Sequence, residues 1–339
     1  IELATGAERG KAIVQGHYEL PATRLGTQHG GLSPNGQWLA LQKVVGSQSR
    51  FAVFETSLDG PPRVATLPGR FHFDALSNDG RSLYLTEHLA EEEPLRYQVR
   101  RYDLFLDALD PRVIADKSGS GPMLGRYLSS LPSRTGEWLY SLYLNETKGP
   151  FIHALNLNNR WAICIFLPDQ GKEQLELQLR WTMTLSEDGK SLYAANGALG
   201  RVVEVDTTDH RVRRMAAFDL AQPETAGDLR ERLLPWFASA ASAKRAMLGS
   251  ATLANAGDTL FVSGERGLLV IDTEELELRE HLLLDWTFDS GVLSPDGTRL
   301  YLSSGERRSI LALDARSYAL LDEIEVGGNL VGILYVADR

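Results

Sequence analysis

The chain has 339 residues, of which 43% are hydrophobic and 24% are charged, a balance typical of a folded globular protein. Its net charge of −10 argues against a surface built to neutralise phosphates, so we expect no nucleic-acid partner. The single cysteine, Cys164, excludes an intrachain disulfide scaffold. The longest apolar runs are much shorter than the roughly 20 residues of a transmembrane helix, so we expect no transmembrane segment.

One short pattern recurs along the chain. It reads GLSPNGQWLAL at 31–41, ALSNDGRSLYL at 75–85, TLSEDGKSLYA at 184–194 and VLSPDGTRLYL at 292–302, with looser copies around Gly136 and Gly257. A leucine follows each turn glycine by three positions, and in most copies an aromatic residue comes next. A tight turn is favoured by the serine, by the asparagine or aspartate, and by the glycine of the pattern. The apolar residues on both sides favour two paired strands. Each copy therefore predicts a β-hairpin.

A third strand and a second turn follow each hairpin, as in RVVEVDTTDHRV (201–212) and SILALDARSYAL (309–320), and a fourth strand leads to the next copy. Four strands in a unit of about 40 residues are the signature of a β-propeller blade. Small residues such as Gly31, Ala75 and Gly291 stand five or six positions before the turn glycine, where innermost strands would crowd around an axis. We predict a single all-β domain over 1–339.

Two stretches interrupt the repeats. The first, 87–104, places three glutamates before three arginines and predicts a solvated, charge-paired loop or a long hairpin. The second, 221–245, has apolar residues at roughly helical spacing and Pro235 as a break, so it predicts one short helical insertion between blades. The insertion either packs on its own propeller or exposes a ledge for a partner protein. The candidate partner-binding residues are Leu233, Leu234, Trp236 and Phe237.

The phrases LSPDGTRLYLSS, LSEDGKSLYAAN and VGGNLVGILYVADR resemble the YVTN group of β-propellers, which are relatives of WD-repeat folds. The resemblance covers nearly the whole chain. The last phrase is similar to an innermost strand of that family, and 11–20 is similar to a fourth strand. We therefore expect a seven-bladed β-propeller of four-stranded antiparallel blades, with the ring closed by both termini. A six-bladed ring is the alternative.

In a propeller the innermost strands begin near the axis on one face, so the residues that precede the turns should converge at a channel mouth. A ring of histidine, aspartate and arginine there could bind a carboxylate ligand, a sugar or a metal. His72 and Asp74, two apart on one strand, form the sharpest candidate pair. A hydrated channel lined with polar residues is the simpler interpretation. The candidate ligand-binding residues are His29, His72, Asp74, Arg126, Arg180, Trp181, Asp285 and Asp289.

The chain contains no phosphate-binding loop, dinucleotide fingerprint, zinc-protease helix or nucleophile elbow, so we assign no catalytic residue and expect no cofactor. YVTN-type propellers are often exported. The resemblance therefore implies a non-catalytic scaffold that binds a protein or a small ligand outside the cytoplasm, with any membrane tether in residues absent from this chain. The alternative is an enzyme or enzyme subunit of the lactonase or quinoprotein amine dehydrogenase type, acting at the channel mouth. No residue of either family is matched here.

Overall fold

The computed structural model describes residues 10–21, 30–89, 95–114, 121–168, 175–220, 253–328, 330 and 332–333. The predicted helical insertion at 221–245 lies outside these residues, as does His29. Both therefore stay predictions.

The described residues form six sheets of consecutive antiparallel strands. The first sheet contains β1 (Trp38–Val45), β2 (Gln48–Glu55) and β3 (Arg63–Pro68). The second contains β4 (Arg70–Leu76), β5 (Ser82–His88), β6 (Arg96–Asp103) and β7 (Ala108–Leu109), with β8 (Met123–Leu124) also paired to β6. The third contains β9 (Arg126–Pro132), β10 (Trp138–Asn145), β11 (Gly149–Asn156) and β12 (Trp161–Phe166).

A one-turn helix, α1 (Leu175–Gln178), leads into the fourth sheet, which contains β13 (Trp181–Leu185), β14 (Ser191–Asn196), β15 (Arg201–Asp206) and β16 (Arg211–Ala217). The fifth contains β17 (Leu253–Ala256), β18 (Thr259–Gly264), β19 (Gly267–Asp272) and β20 (Leu278–Leu282). The sixth contains β21 (Ser290–Leu293), β22 (Arg299–Ser304), β23 (Ser309–Asp314) and β24 (Leu320–Glu325).

The innermost strands of successive sheets lie side by side: β9 contacts β13, β13 contacts β17, and β17 contacts β21. This arrangement of four-stranded antiparallel sheets is that of a β-propeller, and each sheet is a blade. The all-β prediction is confirmed. In the stretch 87–104, β5 pairs with β6 and Arg100 forms an ion pair with Glu87 at 2.6 Å, as expected for a long hairpin, whereas the glutamates at 91–93 lie outside the described residues. No helix of the described chain is long and apolar enough to span a membrane.

The expectation for 11–20 was wrong in one respect. Residues 10–21 contain no strand, and only Glu19 forms an isolated bridge, with Gln42 of β1. Leu32 forms a second isolated bridge, with Leu39 of β1. Glu19 and Leu32 therefore both lie beside β1, and residues 10–21 do not form the outer strand of a preceding blade.

The repeated serine explains why the turn recurs. In five blades the glycine N–H donates to the carbonyl of the serine, and the N–H that opens the next strand donates to the serine hydroxyl at 2.9–3.0 Å. The serine hydroxyl in turn donates to an Asn or Asp side chain in four of these turns, as from Ser77 to Asp79. The serine thus satisfies backbone donors that a tight turn would leave unpaired. In the fifth blade, where Ala254 replaces serine, Ala256 pairs directly with Thr259.

In the second to fifth blades, the leucine and the aromatic residue after the turn pack on opposite faces of their sheet. Leu83 lies in the apolar cluster between the first and second blades, and Tyr84 lies in the cluster between the second and third. Leu139 and Tyr140 repeat this division one blade later. Successive residues of a strand point to opposite faces, so one dipeptide supplies two neighbouring interfaces. Each fully buried side chain of this size stabilises the fold by about 1.5–3 kcal/mol.

Neighbouring turns also touch each other on one face of the molecule, which we call the turn face. The Asn35 backbone N–H donates to the Asn78 side chain at 3.0 Å, and the Asn78 amide donates to the Thr135 carbonyl at 3.2 Å. Gly80 has a φ of +65° and lies against the ring of Trp38, where an added Cβ would be 2.1 Å from the nearest ring atom. This glycine is needed for its backbone conformation and for the close approach of the two turns.

Replacing Gly80 by alanine should therefore destabilise the protein more than replacing Gly36, which has a φ of +70° but no atom within 4 Å of an added Cβ. Both variants have the backbone cost of a positive φ, and only Gly80→Ala has the overlap with Trp38. We expect an additional loss of about 1–3 kcal/mol in the free energy of unfolding, measured by urea denaturation. Equal losses of unfolding free energy in the two variants would show that Gly80 and Trp38 are not in close contact.

Candidate functional site

The innermost strands begin on the face opposite the turn face, which we call the mouth face. Most of the described candidates lie there, where four blades start: His72 on β4, Arg126 on β9, Arg180 and Trp181 at β13, and Asp285 and Asp289 before β21, whereas Asp74 lies toward the other end of β4, two residues before its last residue Leu76. The structure thus distributes them over the second, third, fourth and sixth blades. The candidate partner residues Leu233, Leu234, Trp236 and Phe237 lie outside the described chain.

His72 lies next to a second histidine. Its ring centroid is 5.0 Å from that of His88, with the rings edge to face. Burial, the His88 ring and the charge of Arg70 together lower the pKa of His72 to about 4. The imidazole is therefore neutral at pH 7 and can accept or donate a hydrogen bond without carrying charge.

Asp74 occupies a β-bulge, where β4 inserts one extra residue between Phe73 and Ala75 relative to β5. Its Oδ2 atom is buried and has no hydrogen-bond partner. Burial alone raises the pKa of Asp74 from its ordinary value of 3.8 to about 7. No hydrogen bond or ion pair between described residues joins Asp74 to His72, so the pair shares a strand without forming an acid–base couple.

The arginine and tryptophan at the fourth blade have structural contacts. Arg180 forms an ion pair with Glu265 at 2.5 Å, and both side chains are almost fully buried. The pair joins the fourth blade to the β18–β19 hairpin of the fifth. Trp181 is 1% exposed in the cluster between the third and fourth blades, and its Nε1–H donates to Gln178 Oε1 at 2.8 Å. Its indole is a core side chain.

The remaining candidates, Asp289, Asp285 and Arg126, differ in their burial and in their hydrogen bonds or ion pairs. Asp289 is buried, and its Oδ2 accepts the Gly305 N–H at 2.5 Å, although burial still raises its pKa. Asp285 is exposed and lies 3.6 Å from Arg307. Arg126 is exposed and lies 4.0 Å from Glu146. Of the mouth-face candidates described, the buried carboxyl without a partner is Asp74. No cluster of three or more metal-ligating His, Cys, Asp or Glu side chains occurs within the described ranges.

Sequence reasoning missed a group of side chains on the turn face between the first and second blades. The Arg63 guanidinium lies 3.8 Å from the Phe105 ring centroid and 5.5 Å from that of Trp38, and Arg81 lies 5.9 Å from Phe105. Phe105 is 58% exposed and the adjacent Leu106 is 70% exposed. We call these five residues the turn-face patch. A Phe-Leu pair inside a turn, in DLFLD (103–107), was the available signal.

An open recess of about 440 Å³ lies between the turns of the fourth and fifth blades. Ser186, Glu187, Asp188, Tyr193, Gly257 and Thr273 line it. Here an added Cβ on Gly257 would meet no atom within 4 Å, whereas the equivalent Gly136 and Gly189 are pressed against the preceding turn. The recess is therefore a place where two neighbouring turns do not meet.

The chain is similar in structure to β-propeller proteins of low sequence identity. BamB from Moraxella catarrhalis matches with a TM-score of 0.56 and 12% identity, over 94% of this chain and 80% of that one. A 6-phosphogluconolactonase candidate from Bacteroides fragilis NCTC 9343 matches with a TM-score of 0.50 and 16% identity, over 89% and 84%. The periplasmic gluconolactonase PpgL of Pseudomonas aeruginosa has a TM-score of 0.48 and 18% identity, over 87% and 84%. The first two likenesses support the propeller fold. No family model and no curated protein sequence matches the chain.

Replacing Asp74 by asparagine should stabilise the protein increasingly as the pH rises from about 4 to about 7. Because the pKa of Asp74 is raised to about 7 in the folded protein, the wild-type carboxyl must ionise there without a partner above pH 7. In the unfolded chain the same carboxyl ionises above its ordinary pKa of 3.8 without this cost. The variant avoids this cost, which is at most about 4 kcal/mol. Thermal melts across pH 4–8 measure the difference.

The control for this experiment is Asp188→Asn. Asp188 is exposed, and hydrogen bonds from Lys190 and Ser186 lower its pKa, so its replacement should give no stabilisation at any pH. An Asp74→Asn variant with the same pH dependence as wild type would mean that the carboxyl is solvated or paired in solution.

Proposed function

We propose that this chain is a non-catalytic β-propeller that serves as a protein- or ligand-binding scaffold outside the cytoplasm. The observation that carries the proposal is the turn-face patch, where Phe105 and Leu106 are more than half exposed and Arg63 stacks on the Phe105 ring. Aromatic and arginine side chains are over-represented among the interface residues that dominate binding energy. The composition of the patch therefore supports docking of a protein partner on the turn face.

The proposal includes a single domain with a seven-bladed ring of the YVTN type, and residues 10–21 contribute no strand to its seventh blade. Its support is at the end of the chain, where the Ile333 N–H donates to Ser290 Oγ at 2.7 Å. Ser290 is the first residue of β21, so this contact brings the chain end beside the innermost strand of the sixth blade. The innermost strand of a following blade would occupy that position.

The location outside the cytoplasm rests on the resemblance to YVTN-type propellers, which are often exported. The mouth-face candidates are the proposed small-ligand site, and His72 and Asp74 are the pair on which it depends most. The helical insertion at 221–245 is a second proposed docking surface through Leu234 and Trp236. No cofactor is part of the proposal.

A Phe105→Ser, Leu106→Ser double variant should lose a partner that wild type retains in a pull-down from the envelope fraction of the source cells. The two side chains are exposed, so their replacement removes apolar contact area without opening a core cavity. An unchanged melting temperature checks the fold.

The matched control is Val45→Ser, because Val45 is 60% exposed at the end of β1 on the mouth face. This variant should retain the partner. A Leu234→Asp, Trp236→Ser variant tests the insertion in parallel. If the partner is lost with the insertion variant and kept with the turn-face variant, the docking surface is the insertion. A partner retained by all variants would contradict both assignments.

An enzymatic role at the mouth face is the second candidate function. The observation that favours it is Asp74, whose pKa near 7 lets it hold a proton close to neutral pH, as a general acid must. A lactonase should lose turnover in the His72→Ala and Asp74→Asn variants.

The binding proposal instead expects wild type to hydrolyse sugar lactones no faster than buffer alone, with or without added chelator. Acid release at constant pH measures this. Turnover that is present in wild type and absent in both variants would replace the binding proposal by the enzymatic one.

A further inference from the structure

Arg63, one of the two arginines of the turn-face patch, has no hydrogen-bond acceptor or ion-pair partner among the described residues. It is the first residue of β3 and lies on the side of that strand where Ala65 and Leu67 pack toward the second blade. Its guanidinium is partly buried against the Phe105 ring, with the Nη1 atom enclosed. The Nε and Nη2 atoms are not enclosed, so this edge of the guanidinium is open to an acceptor from outside the chain.

The fourth blade has an arginine at the same position, and there the arginine has acceptors. Arg63 pairs across the sheet with Val53, which lies two residues before the end of β2. Arg214 pairs in the same way with Glu204, which lies two residues before the end of β15. Arg214 donates to Glu204 Oε2 from Nε at 2.8 Å and also to two backbone carbonyls in the second turn of the fifth blade. The first blade has valine in place of this glutamate, so Arg63 lacks the partner that the position allows.

The carboxylates of the turn beneath Phe105 are already engaged. Asp103 is 4% exposed, and its Oδ2 accepts a hydrogen bond from Arg81 at 3.1 Å. Its Oδ1 accepts two backbone N–H groups of the turn itself. Asp107 Oδ1 accepts the Tyr102 hydroxyl at 2.5 Å. Of the two arginines of the patch, Arg81 is therefore paired within the chain and Arg63 is not.

A second arginine stack in the described chain combines a ring with an acceptor. Arg307 lies 4.1 Å from the Trp286 ring centroid and donates to the Asp285 carbonyl at 2.8 Å. Stacking occupies the flat face of a guanidinium and leaves the N–H groups at its edge to bond in the plane, where they match a carboxylate. Arg63 has the ring contact without the acceptor, so its edge is preorganised for a carboxylate from another molecule.

We propose that Arg63 binds a carboxylate of the partner protein, in a segment that places aspartate or glutamate beside a large apolar side chain. The carboxylate accepts hydrogen bonds from the Nε–Nη2 edge of the guanidinium. The apolar side chain lies on Phe105 and Leu106, which are 58% and 70% exposed. The inference rests on the proposed docking at the turn-face patch and adds the chemistry that the partner must present there.

A phage library of random dodecapeptides, selected on wild type, tests this chemistry. Peptides that bind at the patch should carry aspartate or glutamate beside leucine, phenylalanine or tryptophan. The affinity of the strongest peptide, measured by fluorescence anisotropy, should fall about tenfold in Arg63→Gln and equally when the peptide's carboxylate is replaced by an amide. The two changes together should weaken binding no more than either alone, because both remove the same ion pair.

The matched control is Arg307→Gln, since Arg307 is also stacked on an aromatic ring but already has an acceptor. This variant should bind the peptide as wild type does, and unchanged melting temperatures check that both variants fold. Patch-binding peptides without a carboxylate, recognised by their loss of binding in the Phe105→Ser, Leu106→Ser variant, would overturn the inference and leave the docking proposal standing. A selection that yields no patch-dependent peptide would also overturn the inference, and the pull-down then decides the docking proposal by itself.

Discussion

The leucine–aromatic dipeptide that follows most of the turns is the constraint on which the rest of the fold depends. Each blade has too little volume for a core of its own, so it must bury both faces against its neighbours. Leu192 packs toward the third blade and Tyr193 toward the fifth, so one short segment fixes two interfaces and the direction in which the ring advances. The serine-capped turn keeps this dipeptide at the same height in successive blades.

Most interfaces between blades are apolar, and buried polar groups occur at positions that depart from the repeat. Where the repeat is followed, the space between blades is filled by aliphatic and aromatic side chains. Where it is broken, as at the bulge of Asp74, buried polar atoms such as Asp74 Oδ2 have no hydrogen-bond partner among the described residues. The fold tolerates their cost because four other apolar clusters hold the described blades together. Departures from a consensus are therefore the places to look for function in a repeat protein.

The sequence predicted the strands and turns well because their signals are local and repeated. In the second blade, for example, the turn and the strand after it are indicated by Ser77, Gly80 and Leu83, which lie within a few residues of one another. The site was harder to predict, because its contacts join distant parts of the chain. Nothing near Arg180 in sequence indicates that Glu265 of the next blade will pair with it, and Trp181 was placed at the mouth although its side chain points into the core. The turn-face patch was missed because Arg63 and Phe105 come from different blades.

β24, which is the last strand among the described residues, is exposed along its whole length and belongs to no apolar cluster of the described chain. It forms the edge of the sixth sheet and presents Leu320, Leu321 and Ile324 to solvent. An open edge with exposed leucines is a template on which another chain can add a strand. The same strand carries the carboxylates Asp322, Glu323 and Glu325, so two copies of the edge repel each other. Charge repulsion along a strand that adds nothing to the described cores thus opposes the edge-to-edge pairing of two propellers.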